Sequence, residues 1–152
     1  MNHGEKAQAL FMQGYNCAQS VALAFCDVTG LEEAALARQM ASFGAGLGGL
    51  REICGAVTGM ELVVGHLYGY EVPGNDAEKK AHYQRVQKLA SDFREQVGSI
   101  LCREILKNPP TEPDPSPRTA EYYAKRPCAR VVRLAGEILD AYIEENPIPE
   151  RK

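Results

Sequence analysis

Apolar residues recur along this chain at intervals of three and four, and each such run is cut short by glycine or proline. In "CARVVRLAGEILDAYIEEN" the set Val131, Val132, Ala135, Ile138, Leu139 and Tyr142 falls on one helical face. In "AEKKAHYQRVQKLASDFREQVG" the set Ala81, Val86, Leu89, Ala90, Phe93 and Val97 does the same. Both segments carry charged residues on the opposite face. Long β-branched runs with period-two alternation are absent, so the pattern predicts an all-α fold, a compact multi-helix arrangement. With 152 residues the expected organisation is a single α-helical domain over 1–152.

The stops place the helix ends. Gly14-Tyr15-Asn16 interrupts the first helical stretch and Gly30 ends the next. "FGAGLGGL", Phe43 to Leu50, holds too many glycines for a stable helix at about 1 kcal/mol each relative to alanine. "EVPGND" is expected to be a loop with Asp76 as a helix cap, and Gly98-Ser99 another break. "KNPPTEPDPSPRT" predicts a proline-rich, extended surface loop near residues 108–118. "NPIPERK" closes the last helix.

Five cysteines, Cys17, Cys26, Cys54, Cys102 and Cys128, with no export signal argue against a disulfide framework. Their positions carry more information than their number. Asn16 and Gln19 form a capping box that puts Cys17 at a first helical position. Ser99 is expected to cap a helix holding Cys102 in its first turn. Pro127 suits the first helical position, with Cys128 next. Cys54 is expected in the first or second turn of the helix running through "CGAVTGMELVVGHLYG". Cys26 is expected late in its helix, as a core residue. Helix starts present unpaired N–H groups and a positive dipole end, and both stabilise the thiolate that reacts or binds metal. Arg51, Arg103, Arg126 and Arg130 lie near three of these cysteines in sequence. Gly55 and Gly59 sit one turn apart on one face, which implies close approach by another helix backbone or by a group at Cys54.

"CGAVTG", Cys54 to Gly59, resembles the CGAxxG signature of the C-GCAxxG-C-C family of redox-active proteins. The four characteristic cysteines of that family map onto Cys17 in "GYNCAQSV", Cys54, Cys102 in "GSILCREIL" and Cys128 in "CARVVRLAGEIL". The resemblance covers nearly the whole chain and implies a redox-active protein whose four cysteines form one site. The haem-attachment pattern Cys-x-x-Cys-His is missing, so no haem is implied.

Three chemistries fit those four thiols. They are separated by 37, 48 and 26 positions, and no two form Cys-x-x-Cys, the usual zinc or thioredoxin-like pair. A site assembled from four helix starts suits an iron–sulfur cluster, a [2Fe–2S] centre with two sulfurs per iron, and this is the leading expectation, for electron transfer or redox sensing. Metal-free dithiol/disulfide chemistry on the same cysteines is the first alternative. A zinc-stabilised binding domain is the second.

The rest of the sequence mainly excludes. A net charge of −3 with scattered basic residues argues against nucleic acid. The run around "MELVVGHLYGY" is short and holds Glu61 and His66, so membrane insertion is not expected, and a cytoplasmic location is. His3, His66 and His82 are too dispersed for a metal site. Glu52 and Glu61 are expected to cap or pair with arginines, and Glu32-Glu33 and Glu144-Glu145 to be solvated. A redox partner protein is implied without being identified. A homo-oligomer covering apolar helix faces stays open.

Overall fold

Five polar residues start helices by one device: a side-chain oxygen that accepts from the backbone N–H three residues on. Asn2 opens α1 (His3–Met12), Asn16 opens α2 (Cys17–Ala24) and Glu32 opens α4 (Glu33–Met40). Asn75 opens α7 (Asp76–Val97) and Thr119 opens α9 (Ala120–Lys125). The capping box at Asn16 and Gln19 is closed in both directions, as the sequence predicts. The cap of α7 is Asn75 and not Asp76, because only Asn75 precedes the first turn and reaches Glu78.

The computed structural model describes residues 1–112 and 114–150. Pro113, in the proline-rich loop, and Arg151 and Lys152, in the tail, lie outside the described residues. The remaining elements are α3 (Cys26–Thr29), a 3₁₀ turn (Ala41–Phe43), α5 (Gly44–Leu47), α6 (Gly55–Tyr68), α8 (Cys102–Leu106) and α10 (Cys128–Glu145). The fold is all-α. Among the described residues there is no strand, only one isolated antiparallel bridge between Ile53 and Leu101. No helix there is long and apolar enough to cross a membrane.

α6 runs through the centre of the packing, with α2, α10 and α7 against it, and α1 lies along α10. Phe11, Phe25, Met60, Leu89, Phe93, Val131 and Leu139 fill the main core with almost no exposure. The apolar face expected for α10 is buried from Val131 to Leu139. The face expected for α7 is buried only at Leu89 and Phe93; Ala81 is exposed, because the first turns of α7 run past the body of the fold.

Two helix pairs approach at backbone contact. A Cβ on Gly59 would stand 2.7 Å from the Ala18 carbonyl oxygen of α2, and one on Gly55 would stand 2.9 Å from the Ala18 nitrogen. On the other side, a Cβ on Gly136 would stand 2.6 Å from Gly4 Cα, locking α1 onto α10. The spacing of Gly55 and Gly59 is thus explained by helix packing. The same approach brings Cys17, one residue before Ala18, beside Cys54, one residue before Gly55.

Candidate functional site

Cys17, Cys54, Cys102 and Cys128 all line one cavity of about 300 Å³. Cys17, Cys102 and Cys128 are each the first residue of a helix, and Cys54 is the residue before one. The local causes differ slightly from the sequence expectation. Pro127 stands outside α10 as its N-cap, so Cys128 takes the first helical position. Ser99 caps no helix; its hydroxyl accepts from Leu101 N–H, and Leu101 precedes α8. Cys26 opens the four-residue α3 and is half-buried, not late in a helix and not in the core, because the chain bends at Phe25.

Long-range backbone bonds set the four in place. Cys54 N–H donates to Ile100 O at 2.7 Å and Cys102 N–H donates to Glu52 O at 2.7 Å, around the Ile53–Leu101 bridge. This short ladder ties the start of α6 to the start of α8. On the opposite side the Cys17 and Cys128 thiols interact with each other, at the starts of α2 and α10. The backbone thus holds Cys54 near Cys102, the thiols of Cys17 and Cys128 interact directly, and Cys128 also acts electrostatically on Cys54 and Cys102.

The pairs differ in access and acidity. Cys54 and Cys102 are buried; Cys17 and Cys128 are partly buried. Burial pushes the Cys54 thiol up to about 12. Burial also raises Cys102, against the pull of Arg51, whose Nη1 lies 3.8 Å from its sulfur. Cys17 is held well above the ordinary thiol value, first because its proton is engaged with Cys128 and then by burial. Cys128 is drawn down to about 7: the bond from Cys17 stabilises its thiolate most, and Arg126 and Arg118 add to it against the opposing effect of burial. The pair therefore gives up its first proton more readily than an isolated thiol and its second less readily.

The wall facing the thiols is the glycine stretch. Ala45, Leu47 and Arg51 have positive φ, as do Gly46, Gly48 and Gly49, so "FGAGLGGL" winds as a left-handed turn. Left-handed backbone costs a non-glycine residue roughly 1–2 kcal/mol. Backbone bonds hold it: Arg51 N–H donates to Ala45 O and Glu52 N–H to Gly46 O, at 3.1 and 2.8 Å. Gly46 is required there, since a Cβ would meet Glu52 N at 2.6 Å. The result turns the Arg51 side chain inward, with the residue 8% exposed.

The third wall comes from the proline-rich loop, which sequence reasoning left on the surface. Asp114, Pro115, Ser116 and Arg118 line the cavity together with Tyr122 and Arg126. Arg118 straps the loop down: it donates to Phe11 O and Tyr15 O, each at 3.0 Å, and its guanidinium stacks 4.2 Å from the Phe11 ring. Arg126 donates to Ser116 Oγ at 3.1 Å and lies over Tyr122. The sequence signal for this wall was the Arg-Thr that ends the proline run, and only the fold reveals what Arg118 reaches.

Other sequence candidates fall elsewhere. Arg103 pairs with Glu52 at 2.9 Å rather than with Cys102. Glu61 pairs with nothing: both carboxylate oxygens are buried without a hydrogen-bond partner, and burial pushes it up to about 8. His66 Nε2 is 3.0 Å from Thr29 O, and His3 lies between Asp27 and Asp140. Among the described residues, no group of three or more His, Cys, Asp or Glu side chains stands arranged to hold a metal ion.

A family model described as "Putative redox-active protein (C_GCAxxG_C_C)" matches residues 15–142, a span that contains all four cavity cysteines. No curated protein and no solved structure matches the chain.

Proposed function

Since the chain belongs to the C_GCAxxG_C_C family of redox-active proteins, we propose that the four-cysteine cavity is its redox centre and that Cys17 and Cys128 are the couple that cycles between dithiol and disulfide. The observation that carries this is the interaction of the two thiols on the cavity wall, with Arg126 and Arg118 beside Cys128 and drawing it down to about 7. An attacking thiol works best with a pKa near ambient pH, balancing thiolate fraction against nucleophilicity. Cys17 holds its proton until the second step, as a resolving thiol should. Cys54 and Cys102, buried and protonated, support the cavity floor. Anaerobically prepared, metal-free protein should lose two titratable thiols to a mild oxidant and recover both with reductant. A loss of none, or of all four at one rate, counts against the couple.

The presence of all four thiols on one cavity favours a second reading, in which they hold an iron–sulfur cluster for electron transfer or redox sensing. A two-iron centre takes two sulfurs per iron, and the four thiols on the cavity supply that number. Three arginines against one aspartate on the cavity wall offset the negative charge of four thiolates around iron. Such a cluster supplies one-electron transfer when bound. A zinc-held binding domain fits less well, because one tetrahedral ion asks four thiols to converge on a point. Iron and acid-labile sulfide in stoichiometric amounts after anaerobic purification would establish the second reading over the first.

A further inference from the structure

Arg51 is buried, 8% exposed, and its Nε has no hydrogen-bond partner. It lines the cavity that holds the four thiols. Its Nη1 lies 3.8 Å from the Cys102 sulfur, and among the described residues no carboxylate pairs with it. Arg51, Arg118 and Arg126 stand on this cavity against one acidic residue, Asp114, so its wall is net positive and suits an anionic ligand. Arg126 stands on the same cavity beside Cys128, and Asp114 is the opposing charge there. The remaining wall, formed by Phe11, Ile105 and Val131, is apolar.

We propose that the reaction partner of the Cys17–Cys128 couple is a low-molecular-weight disulfide that carries carboxylates, seated by Arg51 and Arg126 with its methylene stems on the apolar wall. This rests on the dithiol reading above and adds the substrate class. The Cys128 thiolate attacks one sulfur of the small disulfide. The S–S bond of the ligand breaks, and one small thiolate leaves, taking the proton of Cys17. The new Cys17 thiolate then attacks the Cys128 sulfur of the mixed disulfide. The second small thiolate leaves and takes a proton from water. Two electrons pass from the protein dithiol to the ligand, giving one protein disulfide and two small thiols. The reverse sequence reduces the protein.

The test compares three symmetric disulfides on reduced, metal-free protein: dithiodiglycolate (anionic), 2-hydroxyethyl disulfide (neutral) and cystamine (cationic). Initial rates of Cys17–Cys128 bond formation are read by alkylation and mass spectrometry, each normalised to the rate of the same disulfide with a free small thiol. The expected normalised order is anionic, neutral, cationic, with at least about tenfold between the ends, shrinking as salt is raised. Arg51→Gly, which relieves the left-handed backbone, and Arg126→Gln should each narrow that gap. Equal rates, a cationic preference, or a gap unchanged in both variants overturns the proposal. If diamide forms the Cys17–Cys128 bond while dithiodiglycolate shows no preference, the substrate class alone is wrong. If neither diamide nor any of the three forms that bond, the dithiol reading falls and this proposal with it.

Discussion

Cys128 shows how much one neighbour does to a thiol. An unperturbed cysteine titrates near 8.5, and burial alone would raise it, yet the donated bond from Cys17 and the two nearby arginines bring Cys128 to about 7. Replacing Cys17 with alanine removes the largest of those effects. Alkylation of Cys128 at pH 7 should then slow by about tenfold, because the thiolate fraction falls from about half to a few per cent. At pH above 9 the two proteins should react alike, since both are then thiolate. Equal rates at pH 7 would mean Cys17 does not control Cys128.

Glu61 is the opposite case, a carboxyl kept from water with nothing to satisfy it. Its ordinary pKa is about 4.3, and burial takes it to about 8. Below pH 4 folded and unfolded chains both hold the proton. Between there and pH 8 the unfolded chain releases it and the folded chain does not, so this group makes stability fall as pH rises. Glu61→Gln should therefore stabilise the protein by about 1–3 kcal/mol at pH 8, a figure discounted for the partial exposure of the side chain, and by little at pH 4. Thermal unfolding at the two pH values measures the difference. The sequence places Glu61 on the α6 helix and nothing more, because whether a carboxylate finds an arginine depends on elements far along the chain.

At the scale of elements, the glycines of α6 divide by what they face. Gly59 meets the Ala18 backbone, so Gly59→Ala should push α2 off α6 and destabilise the protein by about 1–3 kcal/mol. Gly65, on the same helix, has open space where a Cβ would go. Gly65→Ala should stabilise by about 0.5–1 kcal/mol through helix propensity alone. Denaturant titration of both variants separates packing from propensity, and a loss of stability in both would show that Gly65 has a role the geometry does not give it. The Gly59 variant should also alter the environment of Cys17, which α2 carries to the cavity.

Across the whole molecule, the helices and the clustering of cysteines at their starts were legible because both depend on local chemistry. The Asn16 capping box and the Pro127 stop are written within four residues of the thiol they position. The joins between those starts were not. The Ile53–Leu101 bridge is a single residue pair and carries no period-two signature. The Arg118 strap reaches Phe11, 107 positions away. The left-handed winding of the glycine stretch, including Arg51, follows from what it packs against and not from propensity. Sequence therefore placed the four thiols at helix starts, and the fold brought them to one cavity, divided into a partly buried pair and a buried pair. The division carries the functional claim. Its most direct measurement is peptide mapping of metal-free protein after mild oxidation. The predicted result is one disulfide, Cys17 to Cys128, with Cys54 and Cys102 recovered as free thiols; a bond from Cys17 or Cys128 to Cys54 or Cys102 as the main product, or no bond at all, would contradict it.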